Sequence, residues 1–450
     1  MKKIIASSLL AFFAFGFIVN PTYAILDDKK KNQETKILEY LNFDWWKKKN
    51  DPYLEKYIVT AINNNHDIKS AALKVEQARL NVTMTRAGQL PTLSVGASPF
   101  LVKMPQTTST MGSFALPIIA QYELDLFGKN WDKTKSSKKM LEGAEYQAQA
   151  SDISIISHVG SIYYNIVKLD KIINIQEDLV KDREEIYRLM KLSNEEGIVS
   201  TSDLILSEKQ FVMSQNDLID YKKARENSLN ALAVLIGDSP NNIAEYERIS
   251  LDELSNEIII PNEVDSEIII NRPDYKSIEK QIEAAGLDIR AAKKEFLPSI
   301  NILGALAFVA TSMASSMSFE NALGLIGSSV NLPIFTGFKR TANLKLNKNK
   351  YEQLVKQYQK TNLVAIQEVN DSLYNLKSDN EKLVNNNKVL NIQKQDYKYS
   401  QMKFDEGIIS KLDLLQQKES LLYMQKLAAN SKIDCYVGLI NLYKATGAKI

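Results

Sequence analysis

The sequence predicts an α+β protein that is mostly α-helical, internally duplicated and built around rods too long for a globular domain. Three observations carry this expectation. Landmarks of the first half return in the second at a nearly fixed spacing. Two very long stretches contain no proline. The strand-like segments are few, and each pair of them follows a Leu-Pro step.

The spacing comes first, because a fixed period identifies a repeated structural unit. Asp67-Ile68-Lys69-Ser70 recurs as Asp274-Tyr275-Lys276-Ser277, and Leu90-Pro91 as Leu297-Pro298, both 207 residues on. Tyr164-Asn165 returns as Tyr374-Asn375, and Glu196-Gly197-Ile198-Val199-Ser200 as Glu406-Gly407-Ile408-Ile409-Ser410, each 210 residues on. Asp203-Leu204 and Gly237 return at the same interval as Asp413-Leu414 and Gly447. The division that follows is a signal segment 1–24, an extended segment 25–55, a first unit 56–237, a linker 238–264, a second unit 265–447 and a tail 448–450.

In chain order, Lys2 and Lys3 precede an apolar run from Ile4 to Val19, and Thr22-Tyr23-Ala24 offers a small-x-small cleavage site. That pattern reads as a cleaved export signal, since the run is short for a span and Asn20-Pro21 interrupts it. No cysteine follows it, so no N-terminal lipidation is expected. Each unit then opens with a helix of about 30 residues, roughly 56–88 and 265–296, ending where Leu-Pro disfavours helical backbone. Two strand candidates come next. Phe114, Leu116, Ile118, Ala120, Tyr122 and Leu124 alternate with Ser113, Gln121, Glu123 and Asp125, and Ile300, Ile302, Leu306 and Phe308 repeat the period more weakly. Long helices follow near 129–192 and 339–403; at 1.5 Å per residue each is a rod of roughly 96 Å. A turn holding Gly197 or Gly407 leads to a further helix of about 35 residues in each unit.

Segments of about ten residues, apolar on one face, suit a transmembrane barrel wall, although a half-buried soluble sheet alternates in the same way. Four strands cannot close a membrane barrel, and open edges are not tolerated in lipid. Assembly is therefore expected; two copies or three would each supply an even number of strands.

Composition excludes other classes. Lys and Arg total 56 against 54 Asp and Glu, and loss of Lys2 and Lys3 with the signal leaves no net charge to bind nucleic acid. One cysteine, Cys435, and two histidines, His66 and His158, offer no catalytic dyad or zinc cluster, and no phosphate-cradling Gly-Lys-Ser loop occurs. We expect no enzyme activity, cofactor or metal. Met104, Met111, Met313 and Met317 near the strand ends are read as packing residues.

With the duplication in place, the chain resembles the TolC-like outer membrane factors of tripartite efflux and secretion systems. The likeness is carried by Trp45-Trp46, Asp51-Pro52, Asn65 with Asp67, Glu123-Leu124-Asp125-Leu126-Phe127-Gly128-Lys129, Arg272-Pro273-Asp274, Phe296-Leu297-Pro298-Ser299-Ile300, and Leu332-Pro333-Ile334-Phe335 with Gly337. The resemblance implies a trimer with a twelve-stranded barrel in outer membrane lipid, four strands per protomer, continued by an α-helical tunnel across the periplasm. It implies a passive exit duct that meets a periplasmic adaptor protein and an inner membrane pump of RND or ABC type. It places the acidic segment 238–267 in an equatorial band around the tunnel. Small-molecule efflux and type I protein secretion share such a chain. A secreted coiled-coil scaffold or adhesin is the competing reading, and leaves the signal, strands and duplication unexplained together.

The same resemblance points to the two Gly turns as periplasmic tips. Asp413 matches an acid lining a closed tunnel entrance, Gln416 stands where a second acid would follow, and Phe404 occupies a position for a gating aromatic; Asp203, the first-unit counterpart of Asp413, completes the expected gate set. As ordinary helix chemistry, Ser200 or Thr201 and Ser410 cap the next helices, and both Asp residues favour the helix dipole. Gly197, Val199, Ser200, Leu204, Gly407, Ile409 and Leu414 form the expected adaptor-contact set.

Overall fold

The computed structural model describes residues 51–103, 110–240, 246–255, 258, 260–261, 264, 266–310 and 322–448. The signal segment and Trp45-Trp46 lie outside these residues, as do Met104, Met313 and Met317.

Asp51 starts the first helix, α1 (Pro52–Asn64): its Oδ1 accepts from the Tyr53 and Leu54 amides at 3.1 Å, and proline follows where a missing N–H costs nothing. A second helix, α2 (His66–Ala87), begins at once, so the single helix expected over 56–88 is two. The cause is Asn65. Its Oδ1 caps α2 by accepting from Asp67 and Ile68, while its Nδ2 donates to the Leu235 carbonyl at 2.7 Å. The counterpart in the second unit is likewise divided, into α5 (Ser266–Ile270) and α6 (Pro273–Lys294), with Pro273 opening the second piece. The long helices are α3 (Lys129–Glu195) and α7 (Lys339–Asp405), 67 residues each. They lead through the Gly turns into α4 (Thr201–Ile236) and α8 (Lys411–Ala445).

Between α2 and α3 come β1 (Thr92–Val95), β2 (Ser98–Lys103) and β3 (Thr110–Leu124); between α6 and α7 come β4 (Ser299–Ala310) and β5 (Ala322–Asn331). All pairings are antiparallel. β1 and β2 pair with the two halves of β3 in one continuous register, Thr92 opposite Gln121 and Ser98 opposite Ala115. Their break lies beside Pro117. The Gly96 N–H donates to the Pro117 carbonyl at 2.9 Å, and proline has no N–H to return. They act as one interrupted strand, so the sheet has in effect four, in the order β1/β2, β3, β4, β5.

The register assigns the two faces. Leu93 pairs with Ala120, Tyr122 with Ile302, Leu124 with Ile300, and Ile300 in turn with Val330, which puts a wide apolar row on one side. Glu123 opposite Asn301 and Asn301 opposite Ser329 mark the other side as polar near the helices.

The helices follow the strands. α2 and α4 pack on α3, α3 packs on α6 and α8, and both of these pack on α7. Sheet and helical layer therefore share the same two free edges: β1/β2 with α2 and α4 on one side, β5 with α7 on the other. The main core lies midway along the rods, where Leu54 and Ile58 of α1, Ile156 and Tyr163 of α3, Leu232 of α4, Ile440 of α8 and Leu254 are buried together. Each such aliphatic side chain contributes about 1.5–3 kcal/mol on burial.

Candidate functional site

Both long helices end alike. Gly197 and Gly407 adopt φ 71° and 72°, a left-handed backbone that glycine enters without a Cβ penalty. The next residue bonds back across the turn, Ile198 N–H to the Ser193 carbonyl and Ile408 N–H to the Lys403 carbonyl, both at 2.8 Å. This closes the last carbonyls of each helix.

Ser200 and Ser410, rather than Thr201, then cap α4 and α8. The Asp203 and Asp413 amides donate to the respective serine Oγ at 3.1 Å. Asp413 completes the reciprocal box, its Oδ2 accepting from the Ser410 hydroxyl at 2.8 Å and amide at 3.0 Å. These donations hold the Asp413 carboxyl below the usual carboxylate range although it is fully exposed. Asp203 accepts the Ser200 hydroxyl at 2.7 Å.

The structure gathers Phe404 and Asp413 around one turn. Phe404 is half-buried, with the Lys411 ammonium 5.2 Å from its ring centre, and Gln416 is exposed. Of the expected contact set, Gly197, Ser200 and Gly407 are exposed, and Val199, Leu204 and Ile409 are half-buried. Leu414 is a correction: at 5% exposure it packs inside its own chain, on the buried face of α8 with Leu415. Ile198 and Ile408, absent from that set, are 77% and 64% exposed. The residue after a helix-ending glycine commonly packs back on the last turn; both isoleucines stand out in solvent instead.

The two turns lie at one end of the molecule. α8 runs antiparallel to α3, fixed by Lys418 to Asp182 at 2.6 Å and Arg183 to Glu419 at 2.8 Å. Farther along, Lys426 donates to the fully buried Gln176, whose amide donates to the Ser214 carbonyl on α4 at 2.7 Å. Burial pushes the Lys426 ammonium below its ordinary value.

At mid-height the helical layer has two unlike sides. On one, residues 246–255 cross the core: Arg248 pairs with Asp170, Lys171 with Asp252, and Lys432 Nζ donates to the Leu254 carbonyl. On the other, Lys168, Asp371, Asp379 and Asp434 line a groove of about 660 Å³. Burial raises the Asp434 carboxyl, with Asp379 adding to the effect. Among the described residues, no cluster of His, Cys, Asp and Glu has metal-binding geometry, and no helix is long and apolar enough to cross a membrane.

An apolar-faced sheet joined to long antiparallel helices, with reversals at the far end, is an architecture that suits a membrane channel subunit. The chain belongs to the outer membrane efflux protein family, whose model matches residues 57–238 and 265–448. It is similar to the probable efflux pump outer membrane protein TtgC of Pseudomonas putida, 27% identical over 405 residues, covering 88% of this chain and 83% of the relative. The cation efflux system protein CusC of Escherichia coli K12 is 24% identical over 411 residues, covering 91% and 89%. Among solved structures, the CmeC outer membrane channel of Campylobacter jejuni superposes with a TM-score of 0.82 at 25% identity, covering 90% of this chain and 87% of that one. The protein is thus an outer membrane component of an efflux system.

Proposed function

We propose that three copies close into a twelve-stranded barrel continued by a helical tunnel across the periplasm, forming a passive exit duct. The observation that carries this reading is the coincidence of free edges. The sheet ends at β1/β2 and β5 on the same two sides where the helical layer ends at α2/α4 and α7, so one neighbour-to-neighbour contact completes both walls. Apolar side chains line those helix edges: Leu73 and Leu80 on α2, Ile219 on α4, Leu363 and Ile392 on α7 are all more than half exposed.

In this reading the side of the helices crossed by residues 246–255 is the outside, and the acidic groove of Asp371, Asp379 and Asp434 lines the tunnel. Asp413, repeated about the axis, forms a negative ring at the entrance with Phe404 and Gln416 nearby, and Asp203 holds the equivalent position at the first-unit turn. A negative ring draws cations and opposes anions. The tips, through Gly197, Val199, Ser200, Leu204, Gly407 and Ile409 with Ile198 and Ile408, dock a periplasmic adaptor that links the duct to an inner membrane pump of RND or ABC type. The duct performs no chemistry of its own; transport energy comes from the pump.

The test is fractionation of cells expressing the full chain, followed by electrophoresis of unheated and heated samples. The expected result is a heat-sensitive oligomer in the outer membrane fraction. A heat-insensitive monomer in the soluble fraction would reject the duct. Exchanging Ile198 and Ile408 for Asp while the oligomer persists should abolish export; intact export would eliminate docking at the tips.

A further inference from the structure

The junction of sheet and helices holds a charge arrangement that neither the tips nor the exit duct uses. A cavity of about 570 Å³ opens there, with Glu123, Lys129, Lys294, Glu295, Lys339 and Arg340 in its wall. It takes in Glu123 of the polar sheet face, whereas a separate hollow beside Trp131 takes in Tyr122 of the apolar face.

The carboxylates of this wall are already engaged. Glu123 accepts from Lys129 at 2.6 Å, Glu295 from Lys133 at 3.4 Å and from the Asn343 amide at 3.1 Å, and Asp125 from the Trp131 amide at 2.8 Å. Lys294 is held by Asp132 at 2.6 Å. Lys339 and Arg340 have no ion-pair partner among the described residues, and the Arg340 Nη1 is shielded from water with no hydrogen-bond acceptor. Arg340 is half-buried and Lys339 exposed; a cationic donor atom shielded from water and left unmatched is costly, and the first turn of a long helix adds positive potential at the same place. Both effects are relieved by one kind of visitor, a compact anion.

We propose that this cavity is an anion-binding site at the throat of the duct, taking a carboxylate or phosphate group of passing cargo between Lys339 and Arg340. The proposal rests on the reading that the polar sheet face lines the pore. Acid-bearing cargo would then meet a cationic ring at the throat after the acidic groove of Asp371, Asp379 and Asp434. Arg340 supplies a planar fork suited to two oxygens of one acid group, and Lys339 a point charge.

The test is conductance of the full-length assembled channel in a planar bilayer, with pyrophosphate or citrate added on the barrel side. Wild-type current should fall with dose, and pyrophosphate against citrate distinguishes phosphate from carboxylate preference. K339Q/R340Q should raise the half-blocking concentration by about tenfold or more, the scale expected for loss of a charge-assisted contact. R340K, which keeps charge but loses the fork, should fall between, and K135Q, beside Trp131 at the other hollow, should change nothing. Channels that conduct but are not blocked, or are blocked equally after K339Q/R340Q, would overturn the site. If the double variant does not assemble, R340K decides alone, and block as strong as wild type overturns it. A correctly inserted oligomer with no conductance would overturn the pore reading and the site with it.

Discussion

Phe338 holds the left-handed backbone conformation that Gly128 holds in the first unit, φ 64° against 68°, each at the N-terminal cap of a 67-residue helix. The geometry of the junction is therefore repeated where the residue is not. A β-carbon in this conformation costs about 1–2 kcal/mol. Phe338 recovers part of that by an edge-on contact with Phe335, ring centres 5.8 Å apart, but both residues are at least three-quarters exposed. The backbone cost outweighs it. F338G should raise the temperature at which the oligomer dissociates, and G128A should lower it by an effect of about 1 kcal/mol. A drop for F338G would mean the aromatic pair matters more than the strain.

Gly237 closes the first unit at φ 72°, and a Cβ there would lie 2.5 Å from the Asn64 carbonyl oxygen. Backbone must move to admit it. G237A should cost about 2–4 kcal/mol, whereas G197A, with nothing within 4 Å of its Cβ, should cost only the conformational penalty of about 1 kcal/mol. Thermal melting of the detergent-extracted oligomer separates the two; equal losses would show that the α1–α4 contact is not rigid.

Asp132 is a buried carboxylate joined to Arg290 at 2.5 Å and Lys294 at 2.6 Å. Burial pushes its carboxyl up, and the two cations outweigh that, leaving it below its ordinary value. A depressed folded value contributes stability that is complete above the unfolded value, about 3.9, and is lost as pH falls through the folded one. The wild-type junction should therefore hold at neutral and mildly acidic pH and loosen only below about 4. D132N should melt lower at pH 7 by about 2–3 kcal/mol, less than a fully buried pair because Arg290 is largely exposed and can rehydrate. It should also lack the acid component of the melting profile, and an unaltered profile would contradict the assignment.

Ser410 links the α8 cap to the proposed gate. S410A removes the hydroxyl that caps α8, a loss of about 1 kcal/mol, and releases Asp413 toward the ordinary carboxylate range. Because the cap lowers the Asp413 carboxyl, the proposed entrance ring stays charged further into acid than it would without it. Cation preference in bilayer recordings should thus be lost at a higher pH in S410A than in wild type. Identical pH profiles would place Asp413 outside the conducting path.

The long elements were legible because their signals are local and repeated. Freedom from proline over α3 and α7, and the Gly-Ile and Ser-x-x-Asp pairs at their ends, state the rods and reversals directly. What sequence concealed depended on distant partners. The division of 56–88 at Asn65 needs the Leu235 carbonyl, far along the chain, and the interruption between β1 and β2 needs Pro117 on the neighbouring strand. At the tips, the residue types named the turn, but burial sorted its members: Leu414 went inward, while Ile198 and Ile408 turned outward. The cationic pair Lys339 and Arg340 carried no motif, because its meaning comes from which carboxylates are already taken.

In the proposed duct one copy supplies part of a wall and neighbours complete it. Cysteines placed on β5 and β1, with native Cys435 replaced, test this in intact cells. Oxidation should form cross-links between protomers that trap a three-chain species and leave conductance in place after purification. Full expression with no cross-linked species, from a chain that is soluble without detergent and passes no current, would contradict it.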